Sequence, residues 1–485
     1  MDNVKERPWP VIYLGLGALI LLLLELGAIS NTVLSLKWEL ISPYIPEIIG
    51  SPIGSAMKLL ASLPTLLSRD LISNQGYWTG EWWTIQILNI RITGKIWGGT
   101  FLGLAPAHAW ALRVLAVYLY AFLWFALFWK GFLIYRKYYR PASWTPTDDI
   151  INRFRDHQWG QFGLVVVLIF FVMAIFAPTL GTTTVDQNIK RPFSHEIKYY
   201  NEKTNSVKSI KVGQANFESV STGSVQQNIG PLDYDKFGRF HPFGTLPSGE
   251  DLFTFMVNGA RVTLVVGIIS LSLAGMLALI FAVASAYYKG LFDLGVVLTS
   301  DSIQSIPPLL FIILVAHVMS GTWIANIYHG GLLIALIFSV TWWPYLWRSI
   351  RGPALQVSEE QWIDAAKSFG QRPRFIMQKH MVPYVIGYLL IYGSLTLGGI
   401  IIAMAGLSFL GIGINPPTPA WGRAINMGQA YVASASWHIS LIPGFTIVLL
   451  VTAFNALGDG IRDSIDPQSE ASASEMSAAG GGGGA

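Results

Sequence analysis

Residues 364–383 read DAAKSFGQRPRFIMQKHMVP, a polar and basic interval with two adjacent alanines, one glycine and a closing proline, set between apolar stretches at 330–347 and 384–411. A helix needs about 20 mostly apolar residues to cross the roughly 30 Å hydrocarbon core of a bilayer. Both flanks approach or exceed that length, so the interval reads as a loop between two membrane helices. Working outward, the stretches 11–29, 110–129, 162–178, 262–286, 294–318 and 438–457 bring the expected spans to eight. Composition agrees: 52% of the 485 residues are hydrophobic and only 12% are charged, where a soluble domain carries about 25% charge. There is no cysteine, which excludes a disulfide framework, a thiolate metal site and a cysteine nucleophile. The net charge of +4 is small for this length and is not gathered into a nucleic-acid face.

Orientation follows from Lys and Arg in short loops, which favour the cytoplasmic side. Lys130, Arg136, Lys137, Arg140, Arg153 and Arg155 crowd one connection, and Arg348, Arg351, Lys367, Arg372, Arg374 and Lys379 crowd the one that holds the opening stretch. Both are expected inside, with both termini inside and the connections near 30–108 and 179–261 outside. The first span lacks a clean small-residue cleavage site and reads as a retained anchor. Trp78, Trp82, Trp83 and Trp97 in the first outer connection suit a segment lying at the membrane interface. Residues 179–240 (IKYYNEK, SVKSIKVG, FESVSTG) read as a small strand-rich insert. The tail from Ser469, ending AAGGGGGA, is low-complexity and is expected to be flexible and to be an appended piece.

Within the opening stretch, helical periodicity fits 358–370, with Ser358 as N-cap and Gln361 completing a capping box. Trp362, Ala365, Ala366 and Phe369 fall on one face by their spacing. Gly370 is placed to stop the helix in a left-handed conformation. Residues 374–382 are expected to form a second short helix, and Pro383 lies at the start of the next span, where proline is tolerated. The result is a helix–turn–helix bracket tied at both ends to membrane helices. By residue type alone it suits either a partner's surface or an amphipathic loop lying on headgroups.

The order acidic–Ala–Ala, three residues, Gly, then His380, Val382 and Pro383 resembles the EAA motif of ABC importer permeases, with Asp364 standing where that motif has Glu. Three more stretches resemble the C-type subunit of the dipeptide/oligopeptide (peptide, nickel and opine) permeases: 241–264 (HPFGTLPSGEDLFTFMVNGARVTL), 407–422 (LSFLGIGINPPTPAWG) and 454–467 (FNALGDGIRDSIDP). The family pattern after Gly-Thr departs here, with Leu246 in the first acidic place and Glu250 in the Arg place, leaving Gly249 and Asp251.

The resemblance implies an all-α membrane protein: a six-helix ABC importer permease core over 160–467, two extra N-terminal transmembrane helices and a small strand-rich extracellular insert at 179–260. Residues 1–135 form the extension, 136–159 a cytoplasmic linker, 350–383 the coupling loop and 468–485 a tail. It further implies a permease subunit of the plasma membrane that moves di- or oligopeptides inward, with oligosaccharides as the alternative cargo. The implied partners are a second, B-type permease subunit, two ATPase subunits, an extracellular substrate-binding protein and membrane lipid, with no nucleic acid. No cofactor is expected in this chain, since ATP and Mg would be bound by the ATPases. Asp364, Ala365, Ala366, Gly370, His380 and Pro383 are the expected ATPase-coupling residues. No catalytic constellation, nucleotide loop or His pair at metal spacing is visible in the sequence. Asp301 and Gln304 stand inside the fifth span, where polar groups are costly and often functional; Asp301 is expected to face the pathway or to pair with a cation such as Arg348. Pro307 and Pro308 are expected to interrupt that span. A secondary transporter would need inverted repeats and mid-membrane carboxylates, and neither is apparent.

Overall fold

The computed structural model describes residues 8–35, 58–63, 65–87, 90–140, 145–219 and 228–465, and the glycine-rich tail lies outside them. In chain order the main elements are α1 (Trp9–Leu24), α2 (Leu26–Ser35), β1 (Tyr77–Ile87), β2 (Ile90–Gly98), α3 (Pro106–Ile134), α4 (Pro146–Asp156) and α5 (Gln158–Ile175). Then come β3 (Glu196–Asn201), β4 (Ser206–Lys211), α6 (Val212–Ser219), β5 (Asp233–Tyr234), β6 (Phe240–His241), α7 (Leu252–Tyr288), α8 (Gly290–Ser305) and α9 (Pro308–Val318). The chain closes with α10 (Gly331–Ser358), α11 (Gln361–Ser368), α12 (Val382–Phe409), α13 (Trp421–Gly428) and α14 (His438–Ile465).

Among the described residues six helices are long and apolar enough to cross a membrane, those carrying α3, α5, α7, α10, α12 and α14. The expected fifth span is a broken pair: α8 and α9 meet at 85° across Ile306 and Pro307, because proline supplies no amide for the helix and disfavours helical backbone at the residue before it. The expected first span is the 16-residue α1, shorter than a full crossing, followed after Glu25 by α2.

The chain divides into two compact units, 1–144 with 176–254, and 145–175 with 255–485. In the second, α14 lies against α5, α12 and α13. Glycine makes the α5 crossing possible: a Cβ on Gly163 would stand 2.5 Å from the Ala453 carbonyl oxygen, and one on Gly460 would stand 2.6 Å from the Gly160 Cα. In lipid, where apolar burial drives little, such small-residue seams and close packing hold helices together. Ala274, Ala278, Ala282 and Ala286 recur every fourth residue of α7 and are all fully buried, joining Trp343, Leu346, Trp347 and Ile350 of α10 and Val385 of α12. Two glycines of α12 also serve packing within this chain: an added Cβ would meet Val451 at Gly398 and Trp342 at Gly399.

The first unit holds more strand than its sequence announces. The Trp-rich segment forms the antiparallel β1–β2 hairpin, with Trp78 opposite Trp97. Alternation of Trp, Thr and Ile along both strands is what a pleated ribbon requires. Trp78 packs edge-on against Tyr200 of β3 with ring centroids 4.9 Å apart, and Lys95 caps the Trp78 ring at 4.5 Å. The expected insert contains the β3–β4 hairpin, but residues 212–219 are the helix α6 rather than strand. Val212, Gly213, Ala215, Asn216 and Ser219 are its buried residues, and the 212–215–216–219 spacing is helical, overriding the β-prone composition. Arg113 of α3 is fully buried and donates to the carbonyls of Ile72 and Gly181 at 2.9 and 2.8 Å, tying two loops to the helix.

Candidate functional site

The loop between α10 and α12 is built around α11. Its end is a Schellman closure: Gly370 takes φ +72°, its amide donates to Lys367 O at 2.9 Å and the Gln371 amide to Ala366 O at 3.1 Å. No atom stands within 4 Å of a Cβ added at Gly370, so backbone conformation alone selects glycine there. The helix begins later than its sequence implies. Ser358 is the last residue of α10 and its hydroxyl donates to Leu355 O at 2.7 Å, so the capping box with Gln361 does not form. Ala354 and Val357 are buried and extend the buried stripe of α10 to its last turn, and this packing outweighs the local cap signal.

The face of α11 is also corrected. Ile363 and Ala366 are turned into the core, with Ile376 beside them, whereas Trp362 is 49% and Phe369 85% exposed. Ala365 is exposed and Ala366 is not, so the two alanines serve opposite sides: Ala366 seats the helix on its own bundle, and Ala365 joins the outward stripe of Trp362 and Phe369. Asp364 points out and holds Lys367 at 3.0 Å. An exposed ion pair of this kind contributes only about 0–1 kcal/mol, which leaves Asp364 available to another chain. The segment after Gly370 is a turn of helix, Pro373–Ile376, running through a π-turn at Met377–Met381 directly into α12, rather than a separate helix over 374–382. His380 Nε2 lies 3.3 Å from Gln371 Oε1 and closes the loop, and Pro383 sits in the first turn of α12, directly after the π-turn.

Asp301 and Gln304 lie apart from this loop on α8. Asp301 pairs with Arg348 of α10 with both side chains more than half exposed, and Gln304 donates to Ser300 Oγ at 3.0 Å. About two helical turns nearer the start of α8, Asp293 accepts from Arg351 Nε at 3.0 Å, so two ion pairs bind α8 to α10.

A second charged cluster, which sequence reasoning left as scattered residues, lies in the first unit. Asp251 caps α7: its Oδ2 accepts from the Thr254 amide at 2.7 Å and its Oδ1 meets His241 Nδ1 at 2.9 Å. Asp235, also buried, takes Arg239 Nε at 2.6 Å, and Arg239 Nη1 reaches Asn216 Oδ1 at 2.6 Å. Burial works to lower the His241 pKa, but the Asp235 and Asp251 carboxylates outweigh it and the net shift is upward. Burial works to raise both carboxylates; Arg239 and then His241 hold Asp235 well below the usual range, and His241 with Thr254 holds Asp251 low. Gly249 completes the cluster's wall, since a Cβ there would stand 2.0 Å from Asn216 O. Leu246, in the place where the resembled pattern has an acidic residue, is fully buried as an apolar core residue. The cluster's ionic contacts come instead from Asp235, Arg239, His241 and Asp251.

Two family descriptions match this chain. Residues 274–470 match the binding-protein-dependent transport system inner membrane component, and residues 145–195 match the N-terminal TM domain of oligopeptide transport permease C. Together they take in just over half of the sequence. The chain is an ABC importer permease of the peptide C type. The permease is 28% identical over 324 residues to the glutathione transport system permease protein GsiD of Escherichia coli O6:K15:H31 (strain 536 / UPEC), a match covering 67% of this chain and 91% of GsiD. It is 29% identical over 329 residues to the dipeptide transport system permease protein DppC of Bacillus subtilis (strain 168), covering 68% of this chain and 88% of DppC. A solved inward-facing form of the MetNI methionine ABC transporter shares 19% identity and a TM-score of 0.36 with the permease, covering 43% of this chain and 96% of that one, a likeness too slight to add to the assignment. As a multi-pass inner-membrane component, the permease works within a transporter assembly that includes other subunits.

Proposed function

We propose that this permease forms, with a second B-type permease subunit, the pathway of an ATP-driven importer of di- or oligopeptides. An extracellular binding protein delivers the cargo, and two ATPase subunits, which bind ATP and Mg, dock on the α10–α12 loop from the cytoplasm. Both termini of this chain then lie on the cytoplasmic side. The carrying observation is α11: a short helix pinned to the core by Ile363 and Ala366 while it presents Trp362, Ala365 and Phe369 outward. Such a helix, joined across the Gly370 turn to the segment 373–381 that runs directly into α12, turns motion of a docked partner into tilt of a membrane span. The partner need only bind the inward and outward states unequally to drive the switch. Asp364 supplies the polar contact, Gly370 the bend, and His380 and Pro383 the junction with α12. The dipeptide and glutathione names of its relatives support a peptide cargo.

Co-purification tests this reading. Tagged permease is expected to retain an ATPase subunit, and Phe369→Glu to release it while the chain remains inserted. Equal retention by Phe369→Glu would remove α11 from the docking surface, and binding only of glycans by the partner binding protein would replace the peptide cargo.

A further inference from the structure

Within the first unit, the base of the β1–β2 hairpin, strand β3 and the turn from Gly238 to His241 enclose a cavity of about 290 Å³. This volume stands at the lower bound of small-molecule sites, roughly 300 Å³, and far exceeds the ~30 Å³ that one water occupies. Two buried polar atoms in its wall have no hydrogen-bond partner among the described residues, Asn74 Oδ1 and His241 Nε2. Their residues are only 7% and 2% exposed. Each is held in place through its other polar atom: Asn74 Nδ2 donates to Thr182 O at 3.1 Å, and His241 Nδ1 meets Asp251. His241 Nε2 stands 3.8 Å from Asp235 Oδ2, too far for a hydrogen bond. Buried groups left open are costly and call for a partner.

Arg239 and Asp251, also in its wall, are taken up by Asp235 and His241, and two further charges point to the kind of partner. Glu196 and Lys198 also line it, both exposed and neither in an ion pair among the described residues. They are two apart on β3 and so share one face of the strand, at a spacing of about 6.6 Å along it. The ends of an extended dipeptide are separated by a similar distance, roughly 7 Å.

We infer that the first unit carries a binding site for a small zwitterion of dipeptide size, with Lys198 and the His241 imidazole serving its carboxylate and Glu196 and Asn74 Oδ1 its ammonium. Nδ1 is committed to Asp251, and the carboxylates around His241 favour the imidazolium, which places a donor at Nε2. The site lies outside the coupling loop and goes beyond the import reading, because its ligand need not be the cargo.

The test titrates the full chain in lipid nanodiscs with L-alanyl-L-alanine, with the N-acetylated and C-amidated dipeptides as single-charge controls. Saturable binding of the free dipeptide is expected, weakened about tenfold by either block, the size of one charge-assisted bond. Glu196→Gln and Lys198→Gln, both at exposed positions, should each weaken the free dipeptide. Lys198→Gln should leave the amidated form unaffected, and Glu196→Gln the acetylated form. No saturable binding, equal binding of the blocked forms, or wild-type affinity in both variants would overturn the inference; the last would place the dipeptide elsewhere on the chain.

Discussion

His241 and Asp251 stand ten residues apart in a segment that reads as turn, and only the fold brings their side chains to 2.9 Å. The sign of their coupling sets a pH dependence. A histidine whose pKa is raised by folding stabilises fully below its ordinary value of about 6.5 and loses that contribution as pH rises through the folded value. Asp235 and Asp251, whose pKa values are lowered, contribute above about 4 and lose their part only in acid. The thermal unfolding midpoint is therefore expected to be highest on the mildly acid side of neutrality and to fall toward alkaline pH. His241→Asn should flatten that fall and cost on the order of 1–3 kcal/mol through the carboxylate it leaves unpaired. An identical alkaline fall in the variant would contradict the assignment. Gly370 was legible because a left-handed C′ position has a sequence signature. The Ser358 cap was misread because the buried stripe of α10 continues through Ala354 and Val357, and a four-residue pattern carries no information about that packing.

At the scale of elements, the apolar lengths and the Pro307–Pro308 break were open to reading, since both follow from local chemistry. The β1–β2 hairpin was not, because tryptophans at strand spacing carry the same letters as an interfacial belt. Helix α6 was missed for the same reason: its Val and Phe favour strand, and only the burial of Val212, Ala215 and Asn216 together declares the helix. The outward stripe of α11 was half legible, with Trp362 and Phe369 read onto its face and Ile363 overlooked as the anchor. The α5–α14 seam makes a sharp prediction. Gly163→Leu would force a side chain into the backbone of α14 at Ala453 and Leu457, and overpacking of this kind costs about 1–3 kcal/mol or more. A lower unfolding midpoint and reduced yield of folded permease in detergent are expected, and an unchanged midpoint would show that the two helices do not meet there.

Across the whole molecule, the class, the membrane-length helices of the second unit and the position of the α10–α12 loop could be read in advance because lipid imposes length and charge rules on sequence. The outer cavity could not, since its lining comes from segments near residues 74, 183, 197, 212 and 240 that only the folded chain assembles. Deleting residues 1–130 removes α1, α2, the β1–β2 hairpin and most of α3 but nothing of the unit that holds α11. ATPase co-purification is therefore expected to survive the deletion, and its loss would make the extension part of the docking core. The most direct measurement is uptake of a labelled dipeptide into proteoliposomes holding this permease, its partner permease, the two ATPases and the binding protein. ATP-dependent accumulation is expected, abolished by Gly370→Pro and by Asp364→Lys while both variants remain inserted and ATP is still hydrolysed. Accumulation without ATP, or unchanged uptake in both variants, would contradict transport driven through this loop.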